Sequence, residues 1–502
     1  MLGLRAPSQP SRRERANGNE MIRDLRDWLA EAENVGQLRR VEGADWDLEL
    51  GAITHLNNRR GAPTALLFDG IKGYPPGFRV LTGANGNAAR LGVTLRLGPK
   101  LSTAALIQAL RGRPTAWAQE AKGFDPQVVK DGPVRECAER GAAVDVTRLP
   151  APRWNEGDGG RYLGTGCLVI TRDPETQWVN AASYRVMIHD ARTVGVLIIP
   201  GKHGRVHYER WWERGRPCPM AISLGHDPLL SVLGGVEIPL GVSELNVAGA
   251  VQGRPVEVLE SDLTGLPIPA HSEVVLEGFL QPHDLREEGP FGEFFGYYTG
   301  GKSVAPVLGV ERVLRRKDPI IIGSPPGKPP HDYSYWVSIL RSALVFDQVV
   351  AAGVPGVQGV WVFPLSGSRQ LQAVAIRQMF PGHARQAGVA AAQCRAGAQA
   401  GRYTVVVDED VDPTNLDEVM WATVTRSDPA RDIEILHRTW GGPVDPLAEC
   451  FPEQRLYTSR AIIDACRPYE HLDKFPPVAE PSPELRASVL AKWRELFETE
   501  AG

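Results

Sequence analysis

Between residues 136 and 312 the chain is a succession of short β-rich runs, and this pattern limits its fold more than any other feature. The runs 167–171, 178–187, 193–199, 256–259 and 273–280 are separated by turn pairs such as Asp173-Pro174 and Pro200-Gly201. Such spacing predicts an antiparallel sheet or barrel, with one helix inserted around 207–214. With 53 glycines and 41 prolines among 502 residues, elements elsewhere must also be short and turns frequent.

The flanks read differently. Met21, Ile22, Leu25, Trp28 and Leu29 fall at helical spacing, Leu48 and Ile53 mark a second helix after a turn around Val41, 65–68 reads as a strand and 101–110 as a helix. Residues 21–135 are thus expected to form an N-terminal α/β domain behind a polar, disordered leader at 1–20. Beyond the central domain (136–312), apolar runs at 320–322, 360–363 and 404–407 alternate with helical segments at 334–344, 370–379 and 414–422. That predicts a second α/β domain at 313–470 with a mainly parallel sheet. Residues 471–502 read as a Pro-rich linker and a terminal helix capped by Ser482 and opened by Pro483. Its Leu485, Val489, Trp493 and Leu496 or Phe497 share one face. A terminal helix with an apolar face needs a surface to cover, and a partner subunit is the expected one.

A formal charge of −4, from 56 basic and 60 acidic side chains, leaves no positive surplus to attract nucleic acid. No run approaches the roughly 18 apolar residues of a membrane span, and no apolar segment follows the basic N-terminus. The 6 cysteines show no C-x-x-C spacing, so reduced thiols and a cytoplasmic location are expected.

Chemistry concentrates in Glu287-Glu288-Gly289-Pro290-Phe291-Gly292-Glu293, followed by Phe294-Phe295-Gly296-Tyr297-Tyr298. Gly289, Pro290 and Gly292 make a tight turn that can aim Glu288 and Glu293 at one point, beside an aromatic wall. Two close carboxylates in low dielectric do not both ionise cheaply, so one is held protonated and can serve as a general acid. Upstream, Arg185 interrupts an apolar run that also holds Asn180. Five positions separate them, which puts them on opposite faces of a regular strand. If both serve one site, a bulge is needed near 181–183.

His203 and Glu244 are weak signals singly. An amide oxygen, an imidazole and a carboxylate would make a partial shell for Mn²⁺ or Mg²⁺, but spacing does not assemble them. Two other motifs are set aside. The run 408–412 imitates a calcium loop but has Pro413 and Val419 where Gly and Glu are required, and is read as a strand end leading to a helix capped by Thr414. The run 83–87 lacks the spacing and lysine of a phosphate loop and is read as a turn.

Taken together, 180–185, His203, 239–244, Ala248-Gly249 and above all 288–293 resemble the UbiD-type decarboxylases, over residues 24 to about 468. The resemblance implies a multidomain α/β protein. Its parts are an N-terminal α/β domain, a central split β-barrel of flavin-reductase type holding prenylated FMN, and a C-terminal α/β oligomerisation domain with an exchanged helix. It implies that Asn180, His203 and Glu244 ligate Mn²⁺ or Mg²⁺, that the Trp178 carbonyl binds K⁺, and that Ser183, Tyr184, Arg185 and Lys202 join them around the cofactor. Arg185, Glu288 and Glu293 resemble the family's catalytic network, in which Arg185 holds the substrate carboxylate, protonated Glu288 donates the proton that replaces CO₂, and Glu293 sets the charge. One departure stands out. Some members place a C-terminal-domain lysine on the cofactor phosphate, whereas no lysine occurs here between Lys328 and Lys474.

The implied reaction is reversible non-oxidative decarboxylation through a covalent adduct with prenylated FMN. Phe294, Phe295, Tyr297, Tyr298, Tyr333, Tyr335 and Trp336 suggest a flat, π-rich pocket, with the 325–332 loop closing over the cofactor and His331 reaching a ring substituent. An aromatic or heteroaromatic carboxylic acid is the first expectation, an α,β-unsaturated acid or an aromatic acyl-CoA thioester the alternatives. From other classes, a flavin-binding redox protein and a catalytically silent oligomerisation paralogue stay open. The expected partners are the small carboxylic acid and CO₂, a prenylating flavin transferase as cofactor supplier, and further copies of the chain in a homodimer or larger homo-oligomer.

Overall fold

The computed structural model describes residues 22–497; the leader at 1–20 and Met21 lie outside the described residues. Two compact units emerge. Residues up to Asn58 with Thr64–Val337 form one, and Arg59–Pro63 with the chain from Ser338 form the other.

The first helix, Leu25–Asn34, starts where Asp24 accepts the N–H groups of Arg26 and Asp27. Its buried face, Leu25, Trp28, Leu29 and Ala32, packs with Ala65, Leu67, Leu81 and Ile322. Beneath it lies a four-stranded sheet in the order Leu38–Glu42, Ala65–Asp69, Arg79–Thr82, Ile320–Gly323. Two sequence expectations change here. Val41 sits in an edge strand instead of a turn, its β-period hidden by the exposed Arg39, Arg40 and Glu42. Ile320–Gly323, expected in the C-terminal sheet, instead runs parallel to Arg79–Thr82. A fully apolar strand carries no mark of which sheet it joins.

The central sheet has nine strands, and every pair in it is antiparallel. Its order is Tyr162–Gly164, Arg185–Asp190, Thr193–Leu197, Ser303–Arg315, Val274–Glu288, Cys218–Leu224, Leu168–Arg172, Val179–Ala182, with Cys137–Arg140 beside Ser303–Arg315. Cys167, Val169, Val186, Val194, Val196, Met220, Ile222, Leu276 and Leu308 fill its core. Run 256–259 leaves this sheet: Glu257–Glu260 pairs with Gln127–Val128 and Pro267–Pro269. The inserted helix spans His203–Glu213.

The run 178–187 is two strands. Val179–Ala182 pairs with Leu168–Arg172, whereas Arg185–Asp190 pairs with Tyr162–Gly164 and Thr193–Leu197. One hairpin is therefore interrupted midway, and side chains hold the gap: Cys167 Sγ donates to the Tyr184 carbonyl, Ser183 Oγ donates to the Cys167 carbonyl at 2.8 Å, and Ser183 N–H reaches Gly234 O at 2.8 Å. The expected bulge is thus a complete break at Ser183-Tyr184. A bulge would have shifted one register; the break frees Arg185 from the face on which Asn180 lies.

The second unit holds a five-stranded sheet, Val357–Val362, Leu371–Ile376, Tyr403–Asp408, Tyr457–Ala465, Ile433–Trp440. Its outer pairs are antiparallel and its inner pairs parallel, so it is mixed instead of mainly parallel. The segment 370–379, expected as a helix, contains the strand Leu371–Ile376, buried between two sheet neighbours. Alternating Ala and Val there satisfy either period, and sheet pairing decides. Helix Leu416–Arg426 is capped by Asn415, one residue beyond the expected Thr414. The terminal helix Pro483–Lys492 has Ser482 as its cap, accepting Leu485 N–H, and breaks at Trp493 before Arg494–Phe497. Leu485, Val489, Trp493, Leu496 and Phe497 are all exposed. Among the described residues no helix is long and apolar enough to cross a membrane.

Candidate active site

Strand Val274–Glu288 ends at Glu288, opposite Ser303, and the intervening loop carries Glu293. The turn depends on glycine at two places. Gly289 has φ of 87°, and a Cβ on Gly159 would stand 2.1 Å from the Gly289 carbonyl oxygen. Arg185 opens its strand and faces this loop. Its Nε and Nη2 donate to the two oxygens of Glu288 at 2.7 and 2.6 Å, and its Nη1 donates to Glu293 Oε1 at 3.0 Å. The Glu288 side chain is 0% exposed, Arg185 14% and Glu293 19%, so the triad is largely shielded from solvent. Arg185 also lies over the Phe291 ring at 4.9 Å, and Phe291 packs on Tyr162 at 4.2 Å.

Burial pushes the Glu293 carboxyl above its ordinary range, with Arg185 pulling it back and Glu288 adding to the rise. Burial alone would lower the Arg185 guanidinium, but its bonds to Glu288 and the charge of both glutamates carry it upward. Glu288 spends both oxygens on Arg185; Glu293 has one hydrogen bond and one oxygen without a partner among the described residues.

A second cluster forms on the other side of the strand break. Glu244, the first residue of helix Glu244–Gln252, accepts Asn180 Nδ2–H at 2.8 Å and Ala181 N–H at 2.7 Å. Tyr184 donates its hydroxyl to Asn180 Oδ1 and accepts Gly204 N–H, each at 3.1 Å. Glu244 is 2% exposed and has no cationic partner among the described residues, and burial pushes it up to about 7. A buried carboxylate next to an Asn180 amide whose oxygen is free to turn from Tyr184 offers the oxygen donors that suit a hard divalent cation. His203 begins the neighbouring helix, and its ring packs edge-on against Trp178 at 4.8 Å. Among the described residues no three His, Cys, Asp or Glu side chains stand together as a metal group, so Asn180 and Glu244 are the pair brought into contact. The Trp178 carbonyl accepts Asp173 N–H at 2.9 Å, leaving one lone pair for an ion.

Ser183 is spent on the strand break, and Lys202 is an exposed residue preceding the His203 helix. The aromatic wall is only partly dry: Phe295 is buried, but Tyr297 and Tyr298 are exposed. His331 is buried. Its Nδ1 accepts Ser334 N–H at 3.2 Å, so Nε2 carries the hydrogen and faces the Phe294 carbonyl at 3.2 Å. The Gly296 backbone meets Lys328, where a Cβ would stand 2.6 Å from its Cα, so the 325–332 loop packs against the loop of Glu293. The imitation calcium loop holds arginine instead: Arg426 bonds Asp408 and Asp410, and Arg467 bonds Asp408. The glycine-rich run 83–87 ends in Asn87, the cap of helix Ala88–Thr94.

Sequence reasoning missed Asp158 and Tyr162. Both lie in an aperiodic stretch, and only a buried position distinguishes their side chains from ordinary loop residues. Tyr162 donates its hydroxyl to the Pro290 carbonyl at 3.3 Å. The paired glycines Gly159-Gly160 were the one available signal, since closely packed backbone requires them.

Three family models cover most of the chain, described as the N-terminal, Rift-related and C-terminal domains of 3-octaprenyl-4-hydroxybenzoate carboxy-lyase, over residues 29–110, 127–329 and 334–465. Pyrrole-2-carboxylic acid decarboxylase of Pseudomonas aeruginosa is 32% identical over 469 residues, spanning 90% of this chain and 92% of the relative. Phenolic acid decarboxylase of Streptomyces sp. is 32% identical over 454 residues, spanning 89% and 92%. The UbiD-class enzyme HmfF of Pelotomaculum thermopropionicum, solved in complex with FMN, superposes with a TM-score of 0.82 at 27% identity, covering 94% of this chain and 100% of that one. An evolved dimeric form of HmfF, in complex with prFMN, gives a TM-score of 0.78 at 26% identity, covering 94% and 100%. With all three domain models matched in order and the fold shared over 94% of the chain, the chain belongs to the UbiD family of decarboxylases and is a carboxy-lyase.

Proposed function

We propose that this chain decarboxylates an aromatic or heteroaromatic carboxylic acid with prenylated FMN as cofactor. The observation that carries the reading is the buried bridge of Arg185 to both Glu288 and Glu293. Decarboxylation at an sp² carbon leaves an electron pair that no side chain can accept; prenylated FMN, when bound, supplies the electron sink. The interrupted hairpin supports a split barrel, with the break at Ser183-Tyr184 as the opening that admits the flavin between the Asn180 cluster and the Arg185 triad. Asn180 and Glu244 are the residues suited to hold Mn²⁺ or Mg²⁺ against the cofactor phosphate, with His203 as third ligand, the Trp178 carbonyl on K⁺, and Tyr184 and Lys202 at the rim.

Arg185 uses three of its five N–H groups on the glutamates, so one hydrogen on each Nη is left to orient a substrate carboxylate. We assign the proton that replaces CO₂ to Glu293, not to Glu288 as the resemblance implies. Both Glu288 oxygens are taken by the guanidinium and one also accepts the Ser303 hydroxyl at 3.3 Å, whereas Glu293 has an oxygen without a partner among the described residues and is raised by burial. Phe294 and His331 stand beside each other on the two loops and line the side from which a flat ring would enter. The relatives that act on pyrrole-2-carboxylic and phenolic acids favour an aromatic ring over an unsaturated chain or a CoA thioester. The exposed apolar face of the C-terminal helix supports exchange between subunits of a cytoplasmic homodimer. A flavin-transferase partner would supply the cofactor. The test is a panel of carboxylic acids on protein loaded with prenylated FMN, scored for CO₂ and for the ring product lacking it.

A further inference from the structure

We propose that Asp158 is a positioning residue that fixes where Glu293 stands against Arg185. The proposal rests on the decarboxylase reading for its kinetic consequence but not for its structural one. Asp158 is 5% exposed, and no Lys, Arg or His pairs with it among the described residues. A buried carboxylate without a directly paired cation is expensive, and here hydrogen-bond donors stabilise it. Two of these donors come from the loop that carries Glu293, the others from Asn155. Its Oδ1 accepts Gly292 N–H, the peptide immediately before Glu293, and the Tyr298 hydroxyl five residues beyond, both at 3.2 Å; its Oδ2 accepts Asn155 N–H at 2.9 Å.

The surrounding segment grips the same loop. Gly159 N–H bonds Pro290 O at 2.8 Å, the Tyr162 hydroxyl reaches the same carbonyl, and a Cβ on Gly157 would stand 2.6 Å from the Tyr298 ring. Within the loop, Glu293 N–H bonds Tyr297 O at 2.9 Å, so Gly292 and Tyr298 bracket a small closed turn with Glu293 at its head. One carboxylate oxygen thus ties both feet of that turn. Arg185 touches Glu293 at a single 3.0 Å contact, too little to place it alone. A displacement of about 1 Å at a proton-transfer group can cost on the order of 10²-fold in rate.

The test has two arms on the full-length chain. In cofactor-free protein, amide hydrogen exchange of residues 289–298 is compared between wild type, Asp158→Ala, Asp158→Asn and Tyr298→Phe. Exchange should speed up at least tenfold in Asp158→Ala and less in Tyr298→Phe, with the rest of the central sheet unchanged. In protein loaded with prenylated FMN, Asp158→Ala should lower kcat about 10- to 100-fold with KM within threefold, and Asp158→Asn, which keeps an oxygen for Gly292, should recover most of it. Unchanged exchange in 289–298 overturns the proposal, as does a loss confined to KM or an Asp158→Asn as slow as Asp158→Ala. Should Asp158→Ala not fold, Tyr298→Phe decides: faster exchange over 289–298 supports the latch and wild-type exchange overturns it. If no acid turns over in the wild type, the decarboxylase reading fails, while the exchange arm still judges the latch.

Discussion

Arg185 and Glu288 meet through two parallel hydrogen bonds, 2.7 and 2.6 Å long, although 103 residues separate them and the carboxylate is wholly buried. A planar guanidinium fits this geometry and an ammonium does not. Arg185→Lys is therefore expected to lose nearly all turnover. Arg185→Ala strands a buried charge and should destabilise the folded protein by about 3–5 kcal/mol, read from urea unfolding. An alanine variant with wild-type stability would mean that the pair carries no such burden.

The two glutamates should respond differently to amide substitution. Glu293→Gln removes the assigned proton donor and should lower kcat by roughly 10²–10⁴ while cofactor still binds. Because burial raises Glu293, its protonated form persists to higher pH than an ordinary glutamate's, and kcat should fall as pH rises through that raised value. Glu288→Gln should also impair turnover, by loosening Arg185, but should keep this alkaline limb. A limb that vanishes in Glu288→Gln and survives in Glu293→Gln would return the acid role to Glu288.

Glu244 is the proposed carboxylate ligand of the divalent cation. Added Mn²⁺ at about 100 times its dissociation constant should stabilise the protein by about 2.7 kcal/mol, seen as a rise in Tm. Glu244→Gln removes the proposed negative ligand and should abolish most of that rise. An unchanged Tm response in the variant would place the cation elsewhere.

Acid sensitivity should arise at His226. Fully buried, its imidazole is pushed down to about 3 by burial, against an ordinary value near 6.5, and its partners are the hydroxyls of Ser223 and Ser231. Below pH 6.5 the unfolded chain takes up a proton that the folded chain refuses. Stability present above 6.5 is thus lost as pH falls toward 3, by on the order of 4 kcal/mol. His226→Gln should show a shallower loss of Tm between pH 7 and 5, and an identical slope would exclude His226 as the source.

Much of the site could be read from residue order, for physical reasons that differ by element. Gly289, Pro290 and Gly292 are visible because tight turns demand them, so the convergence of Glu288 and Glu293 was legible. The meeting of Arg185 with that turn was not derivable from period alone, since it depends on a strand break that Ser183 and Cys167 hold through side-chain bonds. Ile320–Gly323 and Leu371–Ile376 were misread because apolar runs specify burial without specifying which neighbour provides it. Asp158 was invisible because only its burial separates it from a solvated loop acid.

The most direct test of the account is CO₂ release by protein loaded with prenylated FMN, on aromatic and heteroaromatic acids, beside the same protein carrying plain FMN and the Arg185→Ala variant. Release by the prenylated form alone, abolished in Arg185→Ala, is the predicted result. Equal release with plain FMN, or from the variant, would contradict it.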